Sequence, residues 1–342
     1  MGRRIVGVDI GDTALRAVEL ENPTKPKPTV LRYHEVALPE GAVRSGEVIE
    51  VHTVATALRR LWAEGRFRAK DVVIGMGNQK VIARDLIVAK QPIKLIREGL
   101  PFQVQDLIPM PIEDALLDFY PIAEVQGENG PAVSGLLIAA VKDAVEANVA
   151  AVREAGLYPV DVDLIPFALQ RAVGTVQGTA ALIDVGAATT NVVLTTSGVP
   201  QFVRIIPTGG DDLTRALMSR LDVERDEAER IKSTIGMQPQ SPDQESVART
   251  IYEITAELLT SLRNTLSYFS NTRPDSVIER IVLNGGGASL PGFAAVLQDV
   301  ARTPVQVADP FARVALDKSI SANHVRKHAM TVALGLAVGS AA

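Results

Sequence analysis

The 342-residue sequence contains no cysteine, so neither a disulfide nor a thiolate metal site can form. That usage fits the cytosol, although a cysteine-free chain is not confined to it. Histidine is almost as scarce, with four in the chain: His34, His52, His324 and His328. The last two have i,i+4 helical spacing, but basic residues lie between them and no third ligand is in view, so a metal site is not expected there. No Ser/His/Asp or Cys/His set points to a hydrolase. Positive charge is not in excess either. The net charge of −5 gives no general reason to bind a phosphate polymer, so no nucleic-acid partner is expected. The densest basic stretch, "RRLWAEGRFRAK" (Arg59 to Lys70), reads as a solvated helix end and turn.

Long apolar runs are also missing. The longest late one, Ala329 to Ala342, falls short of the roughly 20 residues a membrane span needs. The opening "MGRRIVGVDIG" lacks the apolar core and cleavage site of a signal peptide. N-myristoylation at Gly2 would want Ser or Thr where Val6 stands. The sequence therefore predicts a soluble protein with no direct membrane insertion, one that meets a membrane only through a partner.

What is present is a globular composition, 46% hydrophobic and 22% charged, in a chain long enough for two domains or one bilobed fold. The stretch "VGVDIGDTALRAVEL" (Val6 to Leu20) runs an apolar strand into Asp9 and Gly11 and resumes as a second strand. A third strand reaches Val36 after the turn "ENPTKPKPT". "EVIEVHTVATALRRLWAEG" has helical periodicity, with Val51, Val54, Leu58, Leu61 and Trp62 on one face. "DVVIGMG" is a short buried strand, and the alternation argues for an α/β domain. From Val81 to Tyr158 the pattern changes to a strand (Val81 to Val88) and a helix (Lys94 to Leu107) stopped near Pro109 and Pro111. Two strands follow (Ala115 to Ala123, Ser134 to Val141), joined by "EVQGENGPA", and then a helix (Ala144 to Ala155). This is the pattern of a small inserted α+β subdomain.

At Thr179 the opening pattern returns. "AALIDVGAATTNVVL" again runs an apolar strand into an Asp and a Gly and out into another strand, about half a chain after Asp9. Two similarly built halves are the inference. A long amphipathic helix follows, carrying Val247, Ile251, Ile254, Leu258, Leu262, Leu266 and Phe269 at helical spacing. Ser241, Pro242 and Gln244 read as its N-cap, first-turn proline and capping-box partner. A third glycine cluster sits in "RIVLNGGGASLPGFAAVL", and the chain ends in the helical "HVRKHAMTVALGLAVG".

Glycine at a strand end leaves backbone N–H groups free and lets a ligand approach closely, which suits phosphate oxygens. An aspartate at such a turn would repel bare phosphate. Mg²⁺, held through its waters by one or two carboxylates while it bridges phosphates, removes that objection. Two facing hairpins, tipped by Asp9 and Asp184, would then clamp a metal-bound triphosphate, and Gly285, Gly286 and Gly287 would let a flat base lie on bare backbone. The plainer alternatives stay open at this point. They are an aspartate capping each hairpin, a simple glycine connection, and an exposed i,i+3 ion pair for Glu229 and Lys232.

The three turns, in this order, resemble those of the actin/Hsp70/sugar-kinase superfamily. The resemblance makes Asp9, Gly11, Asp12, Thr13 and Arg16 the first phosphate motif, and Asp184, Gly186 and Thr189 the second. Gly285, Gly286, Gly287 and Ser289 become the adenosine motif. "DEAERIKSTIG" falls where the family brings Glu229 and Lys232 to ribose and base, and Gly209 and Gly210 in "RIIPTGGDDLTRAL" open the helix leading to the second insertion. "LPEGAVRSGEVIE", "LIPMPIEDALLDFY", "GLLIAAVKDAVEANVAAVREAGLYPVDVDLIPFALQRA" and "ADPFARV" narrow the resemblance, over nearly the whole chain, to the type IV pilus assembly family PilM, relatives of the division protein FtsA.

That resemblance implies an α/β, actin-like two-lobed fold with ribonuclease-H-like duplicated cores. Subdomain 1A would comprise 1–81, 159–177 and 313–342, with 1C inserted at 82–158. Subdomain 2A would comprise 178–214 and 277–312, with 2B inserted at 215–276. It further implies ATP and Mg²⁺ in the interlobe cleft, the metal held through water at Asp9 and Asp184. The implied partner is the N-terminal cytoplasmic peptide of an inner-membrane PilN-like protein, docked between 1A and 1C. Other pilus assembly components and a homo-oligomer are left open, and the implied place is cytoplasmic, peripheral to the inner membrane.

The sequence departs from the superfamily pattern at three places. Arg16 stands where actins usually have Lys; it still suits phosphate. Ala187 and Ala188 replace an Asp or glycines in the second turn, leaving Asp184 as its one carboxylate on a stiffer backbone. Gln103 and Gln105 stand where acidic helix residues are expected. No polar residue is marked by spacing to orient a water for hydrolysis, so nucleotide binding is expected ahead of turnover. An FtsA-like division protein is the first alternative. That family ends in a membrane-binding amphipathic helix, whereas this sequence stops at Ser340-Ala341-Ala342. A small-molecule kinase is the second; it needs a general base and a substrate loop, neither of which stands out.

Overall fold

The computed structural model describes residues 3–128, 130–318, 320 and 327–339; Gly2, His324 and the terminal Ser340-Ala341-Ala342 lie outside them. In the first lobe β1 (Arg4–Ile10), β2 (Ala14–Glu21) and β3 (Thr29–Ala37) form an antiparallel meander. A miniature hairpin follows, β4 (Val43–Arg44) and β5 (Glu47–Val48), then α1 (Val51–Gly65) and β6 (Asp71–Met76), which is parallel to β1. The insertion comprises β7 (Val81–Ala89), α2 (Ile93–Gln103), β8 (Ala115–Gly127), β9 (Gly130–Val141) and α3 (Lys142–Glu154). The chain rejoins the first sheet at β10 (Tyr158–Leu164), parallel to β6, and continues into α4 (Ile165–Val173).

The second lobe repeats the plan. Strands β11 (Thr179–Val185), β12 (Thr190–Thr196) and β13 (Val199–Ile206) form another antiparallel meander. Helices α5 (Gly210–Leu221), α6 (Arg225–Thr234) and α7 (Glu245–Thr272) lead to β14 (Ile278–Asn284), α8 (Phe293–Ala301) and β15 (Val305–Val307), the two strands extending the sheet in parallel. The chain returns to the first lobe through β16 (Ala315–Leu316) and α9 (Thr331–Gly339). The strand orders, β10-β6-β1-β2-β3-β16 and β13-β12-β11-β14-β15, are the same five-strand arrangement used twice, with β16 added at one edge. Both sheets carry helices on their faces. Central strands such as β11, all seven residues of which are buried, therefore read as unbroken apolar runs rather than alternating ones.

Helix α4 joins the lobes, with α9 packed behind it on the first sheet. In α9 every residue from Thr331 to Ala337 is buried, as expected of a helix that is apolar all round. It lies so close to β1 that a Cβ on Gly7 would sit 1.9 Å from the Ala333 carbonyl oxygen, and so close to α4 that a Cβ on Gly335 would sit 1.8 Å from that of Ala168. The other side of α4 contributes to a core holding Met76, Leu164 and Leu169 of the first lobe with Leu182, Val193 and Val282 of the second. The first sheet, α9 and α4 are thus packed closely through small residues, and α4 carries the contact to the second lobe.

Four sequence readings need correction. Helix α1 starts at Val51 because Glu47 and Val48 pair with Arg44 and Val43 in a hairpin, whose turn residues Ser45 and Gly46 both have positive φ. Helix α2 ends at Gln103, short of Leu107, whose carbonyl is taken by Arg84 Nη1 at 2.8 Å. The "EVQGENGPA" loop is mostly strand, because the β8–β9 ladder continues to Gly127 opposite Gly130. Ser241 does not cap α7, which is preceded by a short 3₁₀ turn, and the Gln244 side chain accepts from the Gln240 N–H instead.

The helix contacts make a specific prediction. Gly335→Ala forces α4 and α9 apart and is expected to destabilise the protein by about 1–3 kcal/mol or more. Gly99→Ala, in α2 beside only the flexible end of Gln103, is expected to be neutral or to stabilise by up to about 1 kcal/mol. Urea denaturation of the two variants provides the comparison; equal effects would contradict it.

Candidate functional site

The two aspartate-tipped hairpins close with the same hydrogen bond. The Gly11 N–H donates to the Ala14 carbonyl (3.1 Å) and the Gly186 N–H to the Thr189 carbonyl (2.9 Å). The residues paired with each aspartate differ. Asp9 is in register with Arg16 on β2, which is in register with Glu35 on β3, so the three side chains share one face. Arg16 Nη1 lies 3.5 Å from Asp9 Oδ2, and Arg16 Nε donates to Glu35 Oε2 at 2.5 Å. On the second sheet Asp184 is flanked by Asn191 of β12 and Asn284 of β14. All three are nearly buried, with exposures of 7%, 2% and 0% in that order. The Oδ1 atoms of Asn191 and Asn284 have no hydrogen-bond partner.

Burial pushes Asp184 up from its ordinary 3.8 to about 7, the negative charge of Asp9 adds to this, and the Arg16 guanidinium opposes it. Burial also raises Asp9, against the pull of Arg16. The charges of the first hairpin therefore act directly on the second across the cleft.

Other predicted residues are already engaged. The carboxylate of Asp12 accepts from the backbone N–H of Ser45 (2.5 Å) and of Gly46 (2.7 Å), latching the β4–β5 hairpin to the first turn. The Thr13 carbonyl accepts from Leu38, and that of Thr189 from Gly186. Gly209 packs on the second turn, where a Cβ would come within 2.4 Å of the Ala187 oxygen. The N–H groups of Gly210 and Asp211 donate to the carbonyls of Gly186 (2.9 Å) and Ala187 (2.8 Å), so the start of α5 is spent on supporting that turn. Lys232 Nζ reaches Glu229 Oε1 (2.7 Å), Thr214 Oγ1 (2.6 Å) and the Gly210 carbonyl (3.1 Å). Glu229 and Lys232 thus form the i,i+3 pair and tie α6 to α5. Partial burial opposes ionisation of Glu229, but the bonds from Lys232 and Thr214 outweigh it and hold its pKa low.

The third cluster closes the site from the side. Gly285 takes φ +80°, and a Cβ there would come within 2.5 Å of the Val185 oxygen and 2.7 Å of Asp184 Oδ1. Gly287 packs as tightly on the Val185 side chain, whereas Gly286 faces open space, and Ser289 ends the 3₁₀ turn that follows. Asp184, Gly186, Gly209, Gly210, Gly285 and Gly287 are brought together on the second lobe, with Asp9, Gly11 and Arg16 opposite. Sequence reasoning missed Glu35, Asn191, Asn284 and the His328 carbonyl that accepts from Gly285 N–H. For Asn191 a signal existed, since it follows Asp184 at the same interval as Arg16 follows Asp9.

These residues suit a metal-bound phosphate group. The unpartnered amide oxygens beside Asp184 are buried acceptors, and the hydration waters of a bound Mg²⁺ are donors that would suit them. Among the described residues no three His, Cys, Asp or Glu side chains converge, so the set fits a cation held through water better than one caged by protein.

A duplicated sheet with facing aspartate turns and a helix packed between the lobes defines an actin-like protein. The chain belongs to the family described as type IV pilus assembly protein PilM, whose profile matches residues 7–341. The solved PilM-PilN type IV pilus biogenesis complex is 31% identical with a TM-score of 0.86, covering 98% of this chain and 97% of that one. The ethanolamine utilization protein EutJ from Carboxydothermus hydrogenoformans shares the fold at 17% identity, TM-score 0.61, with 99% and 90% covered. So does MreB5 of Spiroplasma citri bound to ADP, at 12% identity, TM-score 0.53, with 97% and 94% covered. The cell division protein FtsA of Bacillus subtilis (strain 168) is 22% identical over 321 residues, covering 80% of this chain and 72% of that protein.

The Asp184 shift has a signed consequence. Between pH 4 and 7 the folded protein keeps a proton that the unfolded chain releases, so stability falls as pH rises through that window. Asp184→Asn removes this slope. Without nucleotide the variant is expected to exceed the parent in stability at pH 8 by on the order of 2–4 kcal/mol, the gap closing towards pH 4. Denaturation across pH tests it; a gap independent of pH would contradict it.

Proposed function

We propose that the protein binds ATP with Mg²⁺ in the cleft between its lobes and acts as an actin-like scaffold of the type IV pilus assembly machinery. The observation that carries this reading is the pair of carboxylates, Asp184 buried and Asp9 partly so, tipping identically closed hairpins on opposite lobes. When bound, Mg²⁺ would neutralise charge between carboxylates and phosphates, held through its waters at Asp9 and Asp184. Gly11 and Gly186 would admit phosphate oxygens, Arg16 would meet them with a guanidinium already oriented by Glu35, and Gly286 would leave room for the adenosine.

The nucleotide serves in this reading as a ligand more than as a fuel. Ala187 and Ala188 leave the second turn with Asp184 as its one carboxylate, and hydrolysis is weak or absent. Binding across the cleft favours the closed arrangement of the lobes, and through it the affinity for partners. The partner is the N-terminal cytoplasmic peptide of a PilN-like inner-membrane protein, docked between subdomain 1A and the inserted 1C (82–158). The similarity to the PilM-PilN complex supports that partner. Among the described residues no helix is long and apolar enough to cross a membrane, which agrees with attachment through another protein.

Nucleotide-stripped protein is expected to gain several degrees in Tm with Mg-ATP, and Asp9→Ala/Asp184→Ala to weaken binding at least tenfold by calorimetry. A synthetic peptide from the partner's N-terminus should bind, with an affinity that changes when Mg-ATP is present. No thermal shift and no calorimetric signal from the parent protein would overturn the nucleotide reading.

A further inference from the structure

The two aspartates are the same element in a duplicated fold, yet their surroundings are not equivalent. In the first lobe the row across β3, β2 and β1 reads Glu35, Arg16, Asp9, so a cation is built in beside the carboxylate. In the second lobe the row across β12, β11 and β14 reads Asn191, Asp184, Asn284, so the carboxylate's in-register neighbours are both neutral amides.

We infer that the cation accompanying the nucleotide is carried by the second lobe, its hydration waters donating to Asp184 and to the amide oxygens of Asn191 and Asn284, while Asp9 is committed to Arg16. This rests on the nucleotide-binding reading and narrows its metal contact from a shared pair to one lobe.

Several observations converge on it. The two asparagine oxygens lack partners although both residues are almost wholly buried, a condition that native interiors rarely leave uncorrected. The amide of Asn284 has a defined orientation, because its Nδ2 donates to the Val282 carbonyl at 3.2 Å and leaves Oδ1 to accept. Asn191 Oδ1 faces Gly77 of the first lobe, where a Cβ would approach it to 2.9 Å, so it lies between the lobes. In-register neighbours stand about 5 Å apart at Cβ, a spacing suited to acceptors around a hydrated ion. A bare Mg²⁺ would need oxygens at about 2.0–2.1 Å on all sides. Asp9 has the opposite environment, with Arg16 Nη1 at 3.5 Å and the same guanidinium anchored on Glu35.

The test uses Mn²⁺ in place of Mg²⁺ and the full chain with a non-hydrolysable ATP analogue, free Mn²⁺ being read by electron paramagnetic resonance. Each Mn²⁺ affinity is scored against the affinity of the same variant for the analogue in EDTA. Asn191→Leu and Asn284→Leu are each expected to weaken Mn²⁺ about fivefold or more on that scale, and Asp184→Asn to weaken it at least tenfold more than Asp9→Asn does. If circular dichroism shows either leucine variant unfolded, Asn191→Ser and Asn284→Ser carry the same expectation. Parental Mn²⁺ affinity in both asparagine variants, or equal losses in Asp9→Asn and Asp184→Asn, would overturn the inference and leave nucleotide binding intact. Failure of the parent protein to bind the analogue at all would overturn both.

Discussion

A buried carboxylate, Asp184, faces a partly buried one, Asp9, and among the described residues Arg16 is the guanidinium that acts on both. Asp9 shares its strand register with Arg16, whereas Asp184 has only asparagines beside it and feels the charge of Asp9 across the cleft. Burial of a carboxylate without a full counter-charge opposes folding, and it raises the pKa of Asp184 accordingly. The proposed metal-bound nucleotide answers that imbalance.

The two acids face each other because α4 packs against both lobes. The all-apolar α9 lies between β1 and α4 at distances that only glycine permits at Gly7 and Gly335, and α4 carries the side chains that enter the second lobe's core. Around the cleft, backbone groups that could have met a ligand are used to hold the turns. Asp12 grips the Ser45–Gly46 hairpin, and the start of α5 grips Gly186 and Ala187. Rigid turns set on rigid sheets favour a site that is largely pre-formed, with lobe closure left as the adjustable quantity.

Much of this was legible in the sequence because the fold is duplicated. The Asp-x-Gly turns recur half a chain apart, and apolar runs at Ile5–Val8 and Ala180–Val185 mark strands buried on both faces. What escaped depended on pairing across strands. Glu35 meets Arg16 only through a ladder whose register shifts further along, and Asn284 reaches Asp184 by a parallel pairing with a distant segment. The capping box at Ser241 and the long reading of α2 failed because local signals were outcompeted. Gln244 bonded a different N–H, and the Leu107 N–H closed a turn on the Val104 carbonyl in place of the helical bond to Gln103. Glu229 and Lys232 were legible as a pair, but their joint attachment to Thr214 was not, since it requires α5 and α6 to pack.

The central claim is that one cation, Arg16, serves both Asp9 and the buried Asp184 until a metal-bound ligand arrives. Carboxyl carbon NMR on ¹³C-aspartate-labelled protein, with the Asp184 signal assigned by its loss in Asp184→Asn, tests this most directly. Without nucleotide Asp184 should titrate near 7, and with Mg²⁺ and a non-hydrolysable ATP analogue the midpoint should move well below that. Titration at the ordinary 3.8 in the free protein, or a midpoint unmoved by the ligand, would contradict the account.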